Sequence, residues 1–235
     1  MNIFIQRFIY FFIYLCFIQT LFTLFYYILN KYSLTFKNLK ITTKKYIIKN
    51  LLKSFILFIS IPLASYIIFL FIYENRHDPN ITIIGSWIYG GCDIIGLINV
   101  KLPQNTLIHH LIVSFFVLCI TMSNFYSFNL FSILILYASL CTYTFPVNLF
   151  LAFRKLYPDQ NITKKIALLS YYNYIVFIII ILLTCLYCYY LLFFIYHPLF
   201  ILSIMIPIYY LWKDDFILYN YISFYTLLYN YIKFY

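Results

Sequence analysis

The chain has 235 residues, of which 65% are hydrophobic and only 9% charged, with a mean hydropathy of +0.92. A soluble core cannot hide that much apolar surface, whereas a bilayer can, because a crossing helix needs only about 20 mostly apolar residues. The formal charge of +10 does not point to nucleic acid, since the lysines fall between apolar runs rather than along one soluble face.

The expected fold is all-α, a polytopic transmembrane helical bundle of about seven spans. Residues 1–30 form a transmembrane anchor. Arg7 ahead of an apolar run looks like a secretory signal, but a signal core runs only about 7 to 15 residues and ends at a small-residue cleavage site. The run Ile3 to Leu29 is longer and has no such site. Residues 31–52 are expected as a basic cytosolic loop: Lys31, Lys37, Lys40, Lys44, Lys45, Lys49 and, at its edge, Lys53 occur with no acid among them. The positive-inside rule places such a segment in the cytosol and the N-terminus in the lumen.

Residues 53–213 are expected to form six further helices. Runs at Ser54 to Tyr73, Ile81 to Val100, Thr106 to Met122 and Phe128 to Phe153 are each bounded by polar residues or proline. The stretch Ile166 to Trp212 has no Lys, Arg, Asp or Glu, is too long for one span, and divides best at His197-Pro198 or just before it. Asp214 and Asp215 then close the seventh span. The tyrosine-rich tail, 214–235, reads as an interfacial helix.

Threading these spans puts the Lys31 to Lys53 cluster, Lys101, Arg154, Lys155, Lys164, Lys165 and Lys213 on one side, with Arg7 and Arg76 opposite. Of two glycosylation sequons, Asn80-Ile-Thr then faces the lumen and Asn161-Ile-Thr the cytosol.

With 28 Tyr and 27 Phe against 2 Trp and 4 Gly, the aromatics reflect a compositional bias, so their pattern carries no functional weight. The six cysteines lie in apolar stretches, where thiols pack as small hydrophobes. Cys185 and Cys188 have CxxC spacing without a second ligand pair, so neither a metal nor another cofactor is expected.

Intramembrane ionisable groups carry the chemistry, because an acid at a helix centre costs about 2.5 to 3.5 kcal/mol on insertion scales. Asp93 is the acid expected inside a span, in Gly90-Gly-Cys-Asp93-Ile-Ile-Gly96, beside small residues that let other helices approach. His109 and His110 open the next span after the short turn Lys101 to Asn105, which makes the two spans antiparallel neighbours. Adjacent helical residues are about 100° apart, so one histidine can face Asp93 squarely and the other cannot. Two readings stay open: a satisfied Asp/His pair that locks two helices, or a general acid/base or head-group site in an apolar cavity. His77 is expected in a solvated loop and His197 at a turn.

The segment Gly90 to Asp93, the pair His109-His110 and a span ending Thr144-Phe-Pro-Val-Asn148 together resemble the TLC domain. That family includes ceramide synthases, translocating-chain-associating membrane proteins and smaller TLC-domain proteins of membrane-lipid homeostasis. The resemblance covers roughly Lys53 to Trp212 and implies one anchor plus a six-helix core around a cytosol-facing cavity, in the endoplasmic reticulum. It implies that Asp93, His109, His110 and Asn148 line a lipid site, with Asp93 and the two histidines catalytic if the protein is an enzyme. The partners implied are membrane lipids, with acyl-CoA or a sphingoid base for the enzymatic case.

Departures from the family weigh against catalysis. Cys141 stands where the smaller proteins have Glu, proline falls one residue late at Pro146, and Tyr137-Ala-Ser-Leu-Cys141 does not supply the His-Asp and further acid that ceramide synthases have after the histidine pair. The expectation is therefore a lipid-handling protein, ahead of a ceramide-synthase-like N-acyltransferase. A small transporter of the PQ-loop kind is the third option, suggested by Pro103-Gln104 but lacking a second copy of the motif.

Overall fold

A computed structural model of the chain describes residues 3–74, 78–122, 130–158, 160–193 and 198–233. All regular structure among them is helical. Helix α1 (Ile3–Tyr32) leads through a single turn, α2 (Leu34–Lys37), into α3 (Ile41–Ile59) and α4 (Ile61–Tyr73). An antiparallel pair follows, α5 (Pro79–Asn99) and α6 (Gln104–Met122), and then α7 (Leu130–Cys141), a 3-10 turn (Thr142–Thr144) and α8 (Phe145–Leu156). Two long helices, α9 (Asn161–Phe193) and α10 (Pro198–Lys233), complete the bundle.

Local chemistry sets these boundaries. Asp78 caps α5, its Oδ1 accepting from the backbone N–H groups of Asn80 at 2.8 Å and Ile81 at 3.2 Å, with Pro79 in the first turn. Ser33 caps α2 in the same way through Phe36 N–H at 3.2 Å. Two spans are broken, each beside a proline that removes a backbone donor: α3 and α4 meet at 54° near Pro62, and α7 passes into α8 through the 3-10 turn before Pro146. The breaks are tied together, because Ser54 Oγ donates to the Phe145 carbonyl at 2.9 Å, and Ser170 Oγ donates to that of Pro146 at 2.8 Å. Backbone acceptors freed by the breaks are thus met inside the protein, as an apolar solvent requires.

Among the described residues, five helical segments are long and apolar enough to cross a membrane: Ile3–Tyr32, Pro79–Asn99, Gln104–Met122, Ile135–Leu156 and Asn161–Ile180. The bent pair α3–α4 adds a sixth. The protein is an all-α, multi-pass membrane bundle. The expected seventh span falls on α10, of which residues 198–205, 207, 208 and 212 carry side chains outside the described ones, so this span lies largely outside the described residues. The uncharged stretch does divide between α9 and α10, but residues 194–197, with His197 among them, lie outside the described residues, as does His77.

Two boundaries differ from expectation. The basic loop over 31–52 is largely helix from Ile41 onward, because Ile47, Ile48, Leu52 and Ile56 recur on one face and pack against α1 and α5, carrying Lys49 and Lys53 inside. The tail beyond Asp214 continues α10 without a break and docks on the bundle: Ile222 is fully buried among Val147, Phe150 and Tyr174, and Tyr225 donates to the Pro158 carbonyl at 3.0 Å.

The glycines of α5 each admit a different neighbour. A Cβ on Gly90 would lie 2.3 Å from Val117 of α6, one on Gly91 2.5 Å from Tyr14 of α1, and one on Gly96 3.2 Å from the Lys49 stem. α5 is therefore the hub against which α1, α3 and α6 close, and Asp93 sits on it at the centre.

Candidate functional site

Asp93 is completely buried. Burial of a carboxylate requires partners, and two arrive from different helices. Lys53 of α3 donates to Asp93 Oδ1 at 2.6 Å, and His110 of α6 brings Nδ1 to the same oxygen at 2.8 Å. The lysine contact is an aligned, charge-assisted hydrogen bond; the histidine contact lies off the N–H axis and is a close electrostatic approach rather than a hydrogen bond. Lys53 also lies over the Tyr89 ring, 5.0 Å from its centroid.

Lys49, one helical turn before Lys53 and on the same face of α3, reaches past Gly96 to His110 Nε2 at 3.0 Å. An ammonium can only donate, so Nε2 is the acceptor and the ring proton sits on Nδ1, toward Asp93. The result is a continuous buried chain, Lys49 to His110 to Asp93 to Lys53, that joins α3, α5 and α6. Both ring nitrogens of His110 are engaged by it.

His109 faces the other way. Its Nδ1 is 3.8 Å from Asp214 Oδ2 of α10, beyond hydrogen-bond distance. Asp214 Oδ1 accepts from Thr106 Oγ1 at 3.0 Å. The adjacent Asp215 accepts from Tyr174 at 2.8 Å and Tyr137 at 3.0 Å.

These groups surround one cavity of about 280 Å³. Lys49, Lys53 and Arg154 contribute cations, Asp214 and Asp215 carboxylates, His109 and His110 the imidazoles between them, and Val147, Leu151 and Leu218 apolar wall. Arg154 donates to Tyr46 Oη at 3.1 Å and stacks 4.3 Å from the Tyr221 ring centroid, while its Nε has no partner. The cavity lies at the end of the bundle that carries the α5–α6 turn, through Leu102 and Pro103, and the basic last turn of α8.

Of the four residues singled out in the sequence, the structure joins Asp93 to His110, and His109, His110 and Asn148 line the cavity. Asn148 makes no side-chain hydrogen bond among the described residues. Asp93 stands behind the cavity wall and touches it only through its two partners. Lys49, Lys53, Arg154, Asp214 and Asp215 were not anticipated. A signal existed: Lys49 and Lys53 are four residues apart among Ile and Leu, and Asp214-Asp215 is the only adjacent acid pair in a chain with six acids. Among the described residues no group of three or more His, Cys, Asp or Glu side chains has the geometry to hold a metal ion.

Comparison with known proteins finds no matching family model, no similar curated protein and no similar solved structure.

Proposed function

We propose that this protein handles membrane lipid, in the manner of the smaller TLC-domain proteins it resembles, and that the polar part of a lipid enters the cavity beside Lys49, His109 and His110. The reading rests on one observation: a network of buried charges borders a cavity of about 280 Å³ that also has apolar wall. Intramembrane charge is costly and marks function by default, and the cavity is near the lower limit of small-molecule sites, about 300 Å³. A head group fits that volume; a whole lipid does not. The proposal places residues 31–53 and the mouth of the cavity on the cytosolic side of the endoplasmic reticulum membrane, with the N-terminus in the lumen.

The test is mass spectrometry of lipids that co-purify with the full chain, beside lipidomics of the host membrane. Lys49→Met and His109→Ala are expected to deplete the bound lipid and shift the membrane profile relative to the parent. Folded variants with unchanged bound lipid and an unchanged profile would refute the reading.

Acyl transfer is the second reading, favoured by His109, whose Nδ1 faces Asp214 without a hydrogen bond and so is open to exchange a proton. It predicts N-acylated product from acyl-CoA and a long-chain base in purified membranes, lost in His109→Ala. No product from the folded protein removes it.

A further inference from the structure

We infer that the cavity is built for a zwitterionic amino-phosphate head group, with the phosphate on Lys49 and Arg154 and the ammonium on Asp214. The inference rests on the lipid-handling reading above and names the ligand class.

Charge balance carries it. Lys53 is already neutralised by Asp93 at 2.6 Å, which leaves two cations facing the cavity without a carboxylate partner among the described residues. Lys49 is buried and meets only the imidazole of His110; Arg154 meets a tyrosine hydroxyl and an aromatic face, and its Nε is buried without a partner. Both suit a phosphate, Arg through its planar fork and Lys as a point charge.

Another part of the lining carries the complementary sign. Both oxygens of Asp215 are taken by tyrosine hydroxyls, whereas Asp214 accepts one hydrogen bond through Oδ1 and turns Oδ2 toward His109 at 3.8 Å. Asp214 Oδ2 therefore has capacity for an N–H donor. The His109 and His110 rings, with centroids 5.6 Å apart, bridge the two parts, since His110 touches Lys49 and His109 faces Asp214. The phosphate and ammonium positions thus border one cavity and are joined through the two rings. A purely anionic head group would leave Asp214 facing like charge, and a simple amine would leave Lys49 and Arg154 unmatched.

The experiment uses the detergent-solubilised full chain, titrated by native mass spectrometry with short-chain phosphatidylethanolamine, short-chain phosphatidylglycerol and free O-phosphoethanolamine. Phosphatidylethanolamine is expected to bind about ten-fold tighter than phosphatidylglycerol, the effect of one well-placed charge-assisted hydrogen bond. Asp214→Asn is expected to abolish the preference, by weakening phosphatidylethanolamine and relieving the like charge that phosphatidylglycerol meets, Asp214→Glu to retain it, and Lys49→Met to weaken both lipids about ten-fold. Competition by free O-phosphoethanolamine would identify the soluble compound as a sufficient ligand; binding of the lipid without such competition would assign the lipid form. Both support the head-group assignment. Equal binding of the two lipids, or an equal loss of both in Asp214→Asn, overturns it. Binding of neither lipid, by contrast, refutes the lipid-handling reading itself.

Discussion

Replacing Asp93 by Asn tests whether the buried network is a single structural unit. The substitution keeps volume and removes the charge that balances Lys53, whose ammonium lies 2.6 Å away with both side chains at most 9% exposed. Two magnitudes compete. Polar contacts within membrane proteins average about 0.6 kcal/mol in double-mutant cycles, because the unfolded chain in the membrane also finds partners. Removing one partner of a buried ion pair costs about 3–5 kcal/mol, because the other charge is stranded. The second governs here: Lys53 is buried, and a second cation, Lys49, lies one turn away. Asp93→Asn is therefore expected to lose about 3 kcal/mol or more in SDS-induced unfolding from mixed micelles, followed by circular dichroism. Lys53→Met on that background removes the stranded charge and is expected to restore most of the loss. A loss below about 1 kcal/mol in the single variant, or a double variant equal to the sum of both singles, would refute the account.

The histidines should separate in the same assay. Asp93 and His110 touch at 2.8 Å, so their double substitution is expected to be non-additive by about 0.5–3 kcal/mol, whereas Asp93 and His109 should add within about 0.5 kcal/mol; the reverse order would contradict the assignment of faces. Gly90→Ala is expected to cost about 1–3 kcal/mol by overpacking, since its Cβ would lie 2.3 Å from the branched side chain of Val117. Gly85→Ala should cost clearly less, because the atom it meets, at 2.7 Å, is the terminal methyl of Ile67, and thermal stability in detergent compares the two. Ser54→Ala should cost about 1 kcal/mol and increase amide exchange around the Thr142–Thr144 turn, as it removes the bond that ties the two broken spans together.

Asp93 and the histidine pair were legible because an acid in an apolar run has few innocent explanations, and because a short turn forces the next helix to return beside it. Which histidine meets Asp93 was not legible: it depends on the rotational phase of α6, set by Gly90 against Val113 and Val117 rather than by any residue near the histidines. Lys53 was misplaced for a different reason. A lysine beside a span serves as a topological charge or as a buried counter-ion with the same local sequence, and only the phase shared with Ile56 and Leu57 shows that it turns inward. Asp214 and Asp215 looked like a span terminus because paired acids normally end at water. Here Thr106, Tyr137 and Tyr174, all distant in sequence, satisfy them, so α10 continues. The composition that discouraged reading the tyrosines thus hid the residues that make the acid wall possible.

The basic residues divide into two groups with different physics, and that division is measurable. Lys101, Lys155 and Lys213 are exposed near the end of the bundle where the cavity lies, whereas Lys49 is buried inside it. Exposed lysines at an anionic membrane surface contribute about 1 kcal/mol each and act over a Debye length of about 8 Å at physiological salt. Buried ones are screened far less. Raising the salt should therefore weaken the effect of substituting Lys101 and Lys155 on the association rate of a charged lipid, while the loss caused by Lys49→Met stays constant. Stopped-flow association with vesicles of graded phosphatidylglycerol content, at two ionic strengths, separates the contributions. If the Lys49→Met effect fell with salt in parallel with the exposed lysines, Lys49 would be acting as part of the basic rim, and the cavity would lose its claim to an anionic ligand.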